Sequence, residues 1–289
     1  MTRHFLDITD YTSASLGNIL SMAKSLKTST SDCLKGKSVG MIFEKPSNRT
    51  RLSFDVGVAQ LGGHSIMIRD DEVQLGRREP VSHVARVLSR YVDMIVYRTT
   101  DHKKLVELAA HSSVPVINGL SDVSHPCQAM ADIMTMMDHH TDASKIKLAY
   151  VGDGNNVCLS LMQLCDAMGI SMTVVCPDAY LPTDCPSSIK LTTSLSEGLR
   201  GATVIYTDVW VSMGDEAYTD DRLVAFKSYQ VNEDAIKMAA DDCIFMHCLP
   251  ANLDQEVTES VIESVQSRVF DQAENRLHAQ KGIMAWLIA

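Results

Sequence analysis

Short apolar runs alternate with amphipathic stretches along most of the chain. Apolar runs bounded by turn residues favour buried strands, and longer stretches with a helical repeat of apolar residues favour helices. The first series predicts strands at 37–43, 64–68, 93–98 and 114–120, and helices at 49–62, 80–92, 102–111 and 126–140. The second series predicts strands at 145–152, 171–177, 202–209 and 242–249, helices at 156–169, 195–201 and 233–240, and further helix toward the end.

Alternating strands and helices predict parallel sheets that are covered by helices. Two such series predict an α/β fold with two domains, which suits a chain of 289 residues. We expect the boundary near the helix at 126–140 and the polar stretch after it. The methionines of that helix have helical spacing, so we interpret them as a packing stripe and not as a ligand site.

Composition narrows the class of protein. A hydrophobic content of 45% supports a sizeable core, and the net charge of −10 argues against a general nucleic-acid surface while allowing a local basic site. No apolar run reaches the roughly 18 residues of a membrane span, and the first residues do not resemble a signal peptide, which predicts a cytoplasmic protein. The eight cysteines lack CxxC or zinc-like spacing, which predicts reduced thiols and no metal site.

In open parallel sheets, ligands bind after the carboxyl ends of strands. The stretch "PSNRTRLSF" begins a helix at such a place, with Ser47 at the cap position and Arg49 and Arg51 in a first turn where the helix dipole disfavours cations. Unbonded N–H groups, hydroxyls and a guanidinium together form a phosphate site. The alternative is that both arginines pair with carboxylates such as Glu44 or Asp55, and the sequence leaves both interpretations open.

Other polar residues also follow predicted strands. Arg98 is either a second anion contact or a surface residue. In "HPCQ", His125 can donate to a carbonyl and Gln128 can bind an amide, or the turn is only a helix cap. Asp208 can bind an ammonium group, and Cys248 is either a reactive thiol in a strand-end loop or a buried, inert one.

The stretch "GDGNN" at 152–156 lies between a predicted strand and a predicted helix, like a dinucleotide-binding turn. Its third glycine is absent, and Asp178 is the residue that would imitate the ribose-binding acid. A nicotinamide-dependent enzyme is therefore the competing interpretation of this stretch.

Taken together, "SNRTR", "HPCQ", "DVWVSMG" and "HCLPA" resemble, in order and spacing, the aspartate/ornithine carbamoyltransferase family. The resemblance covers nearly the whole chain and includes "VQLGRRE", "ARVLSRYVD", "VPVINGLSD" and "AENRLHAQK". It implies a carbamoyl-phosphate-binding domain at 1–135, on which a C-terminal helix at 275–289 packs, and an ornithine-binding domain at 136–274. Each domain is then a parallel sheet flanked by helices.

The resemblance implies transfer of the carbamoyl group from carbamoyl phosphate to the δ-amine of ornithine, giving citrulline and phosphate with no metal or organic cofactor. For catalysis it implies Arg49, Arg98, His125 and Cys248. For carbamoyl phosphate binding it implies Ser47, Asn48, Arg49, Thr50, Gln74, Arg98, His125, Gln128, Cys248, Leu249 and Arg276. For ornithine binding it implies Asn156, Asp208, Ser212 and Met213.

Gln74 resembles a residue that the family donates to a neighbouring subunit's site, which implies a homotrimer. The "SMG" loop with the acidic residues after it is expected to close over the amino acid. Asn48 stands where the family has Thr or Gly, which predicts altered phosphate affinity. Arg78 stands where glycine is expected, which puts the geometry of the Gln74 loop in question.

The two arginines of the phosphate stretch are expected to differ in role. We assign Arg49 to the substrate and expect Arg51 to anchor the loop through an acidic residue such as Glu44. An aspartate-using relative would need an arginine after Pro250, where this chain has Ala251, and relatives that use acylated ornithine would alter "DVWVSMG".

Two further matters bear on function. A catalytically silent paralogue would be expected to lack Arg49, His125 or Cys248, and all three are present. The same groups serve arginine biosynthesis and the catabolic direction of the arginine deiminase pathway.

Overall fold

The computed structural model describes residues 2–69, 73–140, 142–211 and 219–289, and it divides the chain into two compact units. Unit 1 is the chain up to Ala131 together with Asn275–Ala289, and unit 2 is Asp132–Glu274. The sequence predicted a division after residue 135 and another after residue 274. The substrate assigned to each domain stays a prediction.

Unit 1 is built on a parallel sheet with the strand order β2-β1-β3-β4. The strands are β1 (Ser38–Phe43), β2 (His64–Arg69), β3 (Met94–Arg98) and β4 (Val116–Leu120). The helices are α1 (Ser13–Thr28), α2 (Asn48–Gln60), α3 (Val81–Tyr91), α4 (His102–His111) and the first turns of α5 (Pro126–His139). Every residue of β3 is buried, as expected for a strand in a parallel sheet that helices cover on both faces.

Unit 2 has a second parallel sheet, with the order β7-β6-β5-β8-β9. The strands are β5 (Lys147–Val151), β6 (Ser171–Val175), β7 (Lys190–Thr192), β8 (Val204–Thr207) and β9 (Ile244–His247). The helices are α6 (Asn156–Met168), α7 (Leu195–Leu199), α8 (Thr219–Phe226), α9 (Glu233–Lys237), α10 (Glu259–Ile262) and the start of α11 (Val269–Ile288). Its core packs apolar residues of the strands, such as Val151, Ile205 and Phe245, against Val261.

The second half of α11 packs on unit 1. A Cβ atom added at Gly282 would lie 2.7 Å from the Cβ of Ala23, so only glycine lets α11 approach α1 this closely. The Lys281 ammonium donates to the Leu26 carbonyl at 2.7 Å and to Gln60 Oε1 at 2.9 Å. The predicted fold class, with two helix-flanked parallel sheets and a C-terminal helix on the first unit, is confirmed.

Three elements were not predicted from the sequence. Helix α1 follows the cap residue Thr12 and buries one apolar face, and β7 is a short edge strand. Helix α8 occupies part of the stretch interpreted as an acidic lid, and its first turn carries Asp220 and Asp221, where the helix dipole favours acids. The rest of the predicted lid, 212–218, lies outside the described residues.

A membrane span is not found among the described helices, since none is long and apolar enough to cross a bilayer.

Candidate active site

Each sheet has one switch point, where the strand order reverses. Most of the polar stretches identified from sequence follow the two strands that flank it, and "HPCQ" and "HCLPA" follow the next strand out, β4 and β9. In unit 1 the chain runs outward from β1 to β2 and then crosses to β3 on the other side of β1. In unit 2 the same reversal separates β5 from β8. A reversal of this kind opens a crevice at the carboxyl ends of the two strands, where open α/β sheets bind ligands.

The loop after β1 is built to receive an anion. Helix α2 begins at Asn48, and Ser47 occupies the cap position without a side-chain cap bond, while the first turn contains no acidic residue. The first N–H groups of the helix can therefore donate to an anion. The loop borders a cavity of about 690 Å³, to whose lining Lys45, Arg51 and Arg69 contribute cationic side chains.

The alternative reading of the two arginines is wrong. Within the part of the chain that the structure describes, neither Arg49 nor Arg51 forms an ion pair. Asp55 accepts a hydrogen bond from Ser65. Glu44 accepts hydrogen bonds from Tyr97, Thr99, Thr100 and Lys104. The expected Arg51–Glu44 anchor is therefore also wrong, because both oxygens of Glu44 are engaged by β3 and α4 and their connecting segment.

Two buried arginines of unit 1 converge on the Thr50 side chain. Its hydroxyl accepts from Arg276 Nη2 at 3.1 Å and, more weakly, from Arg98 Nη1 at 3.4 Å. Arg276 Nη1 donates to Gln128 Oε1 at 2.6 Å. Thr50, Arg98, Gln128, Arg276 and His125 are all buried. Five predicted site residues, from four segments that are far apart in sequence, are thus buried together in unit 1.

The electrostatics of this group favour a bound anion. Burial, together with the neighbouring Arg276 and Arg49, lowers the pKa of Arg98 to about 10. Burial, then Arg276 and Arg98, holds the pKa of His125 well below its ordinary value, so its imidazole is neutral near pH 7. A bound phosphate would offset the repulsion between the neighbouring arginine charges. A neutral imidazole can donate a hydrogen bond to a carbonyl oxygen.

The two units differ sharply in formal charge. Unit 1 contains 18 Lys and Arg residues against 13 Asp and Glu residues, and unit 2 contains 8 against 23. A positively charged unit attracts anions, and a negatively charged unit attracts cations. The attraction acts over distances shorter than the screening length of the salt in solution. The overall charge of −10 therefore conceals a basic unit and an acidic one.

In unit 2, Asp208 lies at the end of β8 with both carboxylate oxygens held. Asn155 Nδ2 donates to Oδ2 at 2.9 Å, and Cys248 Sγ donates to Oδ1 at 2.9 Å. Asn155 also caps α6, since its Oδ1 accepts from the N–H groups of Val157 and Cys158, each at 3.0 Å. One asparagine thus ties the start of the helix to the carboxylate that follows the neighbouring strand.

The loop "HCLPA" after β9 is fixed by a buried histidine. His247 Nδ1 accepts the N–H of Leu249 at 2.9 Å, and Nε2 lies 3.2 Å from Glu256 Oε1. Glu256 Oε1 also accepts the N–H of Asn252 at 2.6 Å. Leu249 has a left-handed backbone with φ of +56°. These bonds hold Cys248 against Asp208.

Cys248 is a thiol in this arrangement and not a ready thiolate. Burial, and then the adjacent Asp208 carboxylate, raises the pKa of Cys248 well above its ordinary value. Asp208, His247 and Cys248 place ligand-type atoms within 4.8 Å of one another. Each ring nitrogen of His247 already has a hydrogen-bond partner, so a metal ion would have to displace one of these bonds, and the geometry favours a hydrogen-bond network over a metal centre.

The "GDGNN" turn does not have the space of a dinucleotide site. A Cβ atom at Gly154 would lie 2.7 Å from the backbone nitrogen of Pro182. In a dinucleotide fingerprint, the glycine at this place lets the pyrophosphate approach the backbone, and here Pro182 takes that position. Asp153 forms an ion pair with Arg222 at 2.7 Å instead of facing an open crevice.

The remaining predicted residues are dispersed. Gln74 is exposed on a turn of unit 1, with φ of +48°, and its carbonyl accepts the N–H groups of Arg77 and Arg78. Gly76 is the other left-handed residue of this turn, so the absence of glycine at Arg78 causes no backbone strain. Asn156 is the first residue of α6.

Two of the predicted ornithine contacts, Ser212 and Met213, lie outside the described residues. One residue of the site was missed by sequence reasoning, namely Asn155. Its signal was available, because asparagine directly before a predicted helix is a typical N-cap.

Comparison with known proteins gives the class of this chain. The family model "Aspartate/ornithine carbamoyltransferase, carbamoyl-P binding domain" matches residues 3–138, and "Aspartate/ornithine carbamoyltransferase, Asp/Orn binding domain" matches residues 144–287. The chain therefore belongs to the aspartate/ornithine carbamoyltransferase family, and it is a transferase.

Several individual relatives within that family are ornithine carbamoyltransferases. The chain is 44% identical to the ornithine carbamoyltransferase of Archaeoglobus fulgidus, over 99% of this chain and 97% of that one. It is 46% identical to that of Pyrococcus abyssi, over 99% and 96%. Among solved structures, the ornithine carbamoyltransferase from Pyrococcus furiosus has a TM-score of 0.94 at 45% identity, covering 98% of this chain and 96% of that chain. The anabolic enzyme from Campylobacter jejuni has a TM-score of 0.93 at 32% identity, covering 99% of each.

Proposed function

We propose that the chain transfers the carbamoyl group of carbamoyl phosphate to the δ-amine of L-ornithine, giving L-citrulline and phosphate. The observation that carries the donor assignment is the buried convergence of Arg98 and Arg276 on Thr50, beside an uncapped helix start. The names of the relatives over the whole chain support ornithine as the acceptor.

Carbamoyl phosphate binds in unit 1 in this proposal. Its phosphate accepts hydrogen bonds from the N–H groups at the start of α2, from the hydroxyls of Ser47 and Thr50, and from the guanidinium of Arg49. Its carbonyl oxygen accepts hydrogen bonds from Arg98 and His125. Its amide nitrogen binds Gln128, and Arg276 is a further contact. Asn48 can donate to the phosphate through its side-chain amide. Gln74 of unit 1 and the unit 2 residues Cys248 and Leu249 complete the proposed set.

Ornithine binds through residues of unit 2. Asp208 holds its α-ammonium, since a carboxylate fixed on both oxygens is a preorganised partner for a cation. Asn156, Ser212 and Met213 are proposed for the rest of the amino-acid group.

The reaction is direct attack of the neutral δ-amine on the carbamoyl carbon. A C–N bond forms, a tetrahedral oxyanion develops on the carbonyl oxygen, and the C–O bond to phosphate breaks with the electron pair leaving on phosphate. Arg49, Arg98 and His125 stabilise both developing charges, as preorganised donors do in an oxyanion hole. Holding the two substrates in reacting geometry supplies much of the remaining acceleration.

Cys248 is proposed as a relay and not as the final proton acceptor. Its raised pKa keeps the thiol protonated, and its hydrogen already points to Asp208. It can accept a proton from the amine only as it passes its own to that carboxylate. The family resemblance implies Cys248 for catalysis, and this proposal gives it the specific role of a relay.

The proposed assembly is a homotrimer in which Gln74 reaches a neighbouring subunit's site. An exposed Gln74 and exposed apolar side chains on α2 and the edge strand β2 support a surface for self-association in unit 1. The apolar residues are Leu52, Val56, Ile66 and Met67. A cytoplasmic setting and a role in arginine metabolism, in either direction, extend the proposal.

The test supplies carbamoyl phosphate with ornithine, aspartate or N-acetylornithine and measures the ureido product. Product from ornithine alone supports the proposal. Product from aspartate or N-acetylornithine in preference to ornithine overturns the acceptor, and no product from any of them overturns the function.

A further inference from the structure

The Glu44 carboxylate accepts more hydrogen bonds than any other acidic group among the described residues of unit 1, and no step of the proposed reaction uses it. Oε1 accepts from the Tyr97 hydroxyl at 2.6 Å and from the Lys104 ammonium at 3.1 Å. Oε2 accepts from the Thr99 hydroxyl at 2.6 Å and from the Thr100 N–H at 3.3 Å. The side chain is only 10% exposed, so these bonds replace most of its contact with water.

These partners enclose Arg98 in sequence. Tyr97 precedes it at the end of β3 and Thr99 follows it, and the Glu44 N–H donates to the Arg98 carbonyl at 3.0 Å. Glu44 is also the first residue after β1, three positions before Ser47. One carboxylate thus joins the segment that carries Arg98 to the loop that begins α2.

We infer that Glu44 is a positioning residue for the carbamoyl phosphate site, which sets the place of Arg98 relative to the loop at 44–49. This inference rests on the proposed function. Glu44 makes no proposed contact with substrate and acts through Arg98 and the loop.

A carboxylate is needed at this place because all four partners are donors. A glutamine has the same shape, and a hydroxyl can turn to accept from its amide nitrogen, but in either orientation that nitrogen would leave the Lys104 ammonium or the Thr100 N–H without an acceptor. A negative charge near a phosphate site is otherwise unfavourable, and Lys104 offsets that charge locally. An acid held this firmly near a phosphate site indicates that its fixed geometry matters more than the repulsion it adds.

Protonation of Glu44 gives an independent readout. Burial alone raises the pKa of Glu44, but hydrogen bonds from Thr99, Tyr97 and Lys104 outweigh it and hold the pKa below its ordinary value. The carboxylate is therefore ionised near neutrality. The hydrogen bonds that the ionised Glu44 accepts are lost only as pH falls through the lowered pKa. Removing Lys104 raises that pKa, so the loss moves to higher pH.

The experiment compares Glu44→Gln with Glu107→Gln, an exposed glutamate on α4 of the same unit, in steady-state kinetics with carbamoyl phosphate and ornithine. We expect Glu44→Gln to lower kcat/KM for carbamoyl phosphate about tenfold, since displacements near 1 Å in a site cost this much or more, with KM for ornithine within about twofold of wild type. Glu107→Gln should match wild type.

Lys104→Met is the second variant, and it keeps the carboxylate and its other three bonds. It should raise KM for carbamoyl phosphate about threefold at neutral pH, as expected for loss of a partly exposed ion pair, and more on acidification than wild type does. A merely structural role would instead lower the melting temperature and change both KM values in proportion. That outcome, or identical kinetics for the two glutamate variants, overturns the inference.

The two hypotheses fail in different ways. If wild type forms no ureido product from ornithine, the proposed function fails. If wild type is active and Glu44→Gln leaves kcat/KM for carbamoyl phosphate unchanged, only the role of Glu44 fails.

Discussion

Replacing Asn155 separates the two roles of this side chain in unit 2, which are to cap α6 and to donate a hydrogen bond to Asp208. Asn155→Ser keeps an oxygen that can cap α6 but loses the donor to Asp208, and Asn155→Ala loses both. Loss of a cap costs about 1 kcal/mol of stability. A hydrogen bond to a charged group contributes about 1.5–3 kcal/mol, and its distance here is 2.9 Å. A loss of about 2 kcal/mol in holding the acceptor amino acid corresponds to roughly 30-fold in kcat/KM.

Asn232 provides the matched control. It caps α9 in the same unit with the same pair of bonds, to the N–H groups of Asp234 and Ala235 at 3.1 Å each. Thermal unfolding should show a decrease of a few degrees for Asn232→Ala and a larger one for Asn155→Ala, which also loses the bond to Asp208. Ornithine kinetics should fall for Asn155→Ser and Asn155→Ala but not for Asn232→Ala.

The reasoning would be refuted in either of two ways. Asn155→Ser with wild-type ornithine kinetics would mean that Asp208 does not need this donor. An equal loss in Asn232→Ala would mean that the effect is one of stability and not of Asp208 orientation.

Four further outcomes are expected. Arg49→Ala should lower kcat/KM for carbamoyl phosphate about 10²-fold or more with unfolding unchanged, and near-normal kinetics would contradict its role. Cys248→Ala should impair ornithine use mainly, so a change confined to carbamoyl phosphate affinity would contradict the relay. In NMR titration of the free protein, His125 should stay neutral from about pH 6 to 8, because burial, Arg276 and Arg98 lower its pKa, and an inflection there would contradict this. Added salt should lower kcat/KM for both substrates, which have opposite charges, and an increase for either would contradict steering by the oppositely charged units.

The sequence predicted most of the regular structure, because the central strands are buried and read as continuous apolar runs. The prediction failed where that signal was weak or was not sought. Strand β7 has three partly or fully exposed residues and no apolar run to detect. Helix α1 has a clear helical repeat, with Leu16, Ile19 and Ala23 buried, and was simply not identified.

The site residues were predictable in kind but not in arrangement. Polar residues after strands pointed to both switch points, because chain connectivity alone brings strand ends to one edge. The partners of Glu44 could not be inferred in the same way. Arg51 is nearer in sequence, whereas the actual partners of Glu44, such as Tyr97 and Lys104, are brought to it only by the pairing of β1 with β3.

Transfer of an isotope label tests the central claim most directly. Carbamoyl phosphate labelled with ¹³C at its carbonyl carbon is mixed with ornithine and the protein, and the label is followed by NMR. The account predicts that the label appears in the ureido carbon of citrulline at a rate far above that of the protein-free mixture, and that Arg49→Ala abolishes most of this gain. Label that remains in carbamoyl phosphate or its spontaneous breakdown products, with wild-type protein and saturating ornithine, would contradict it.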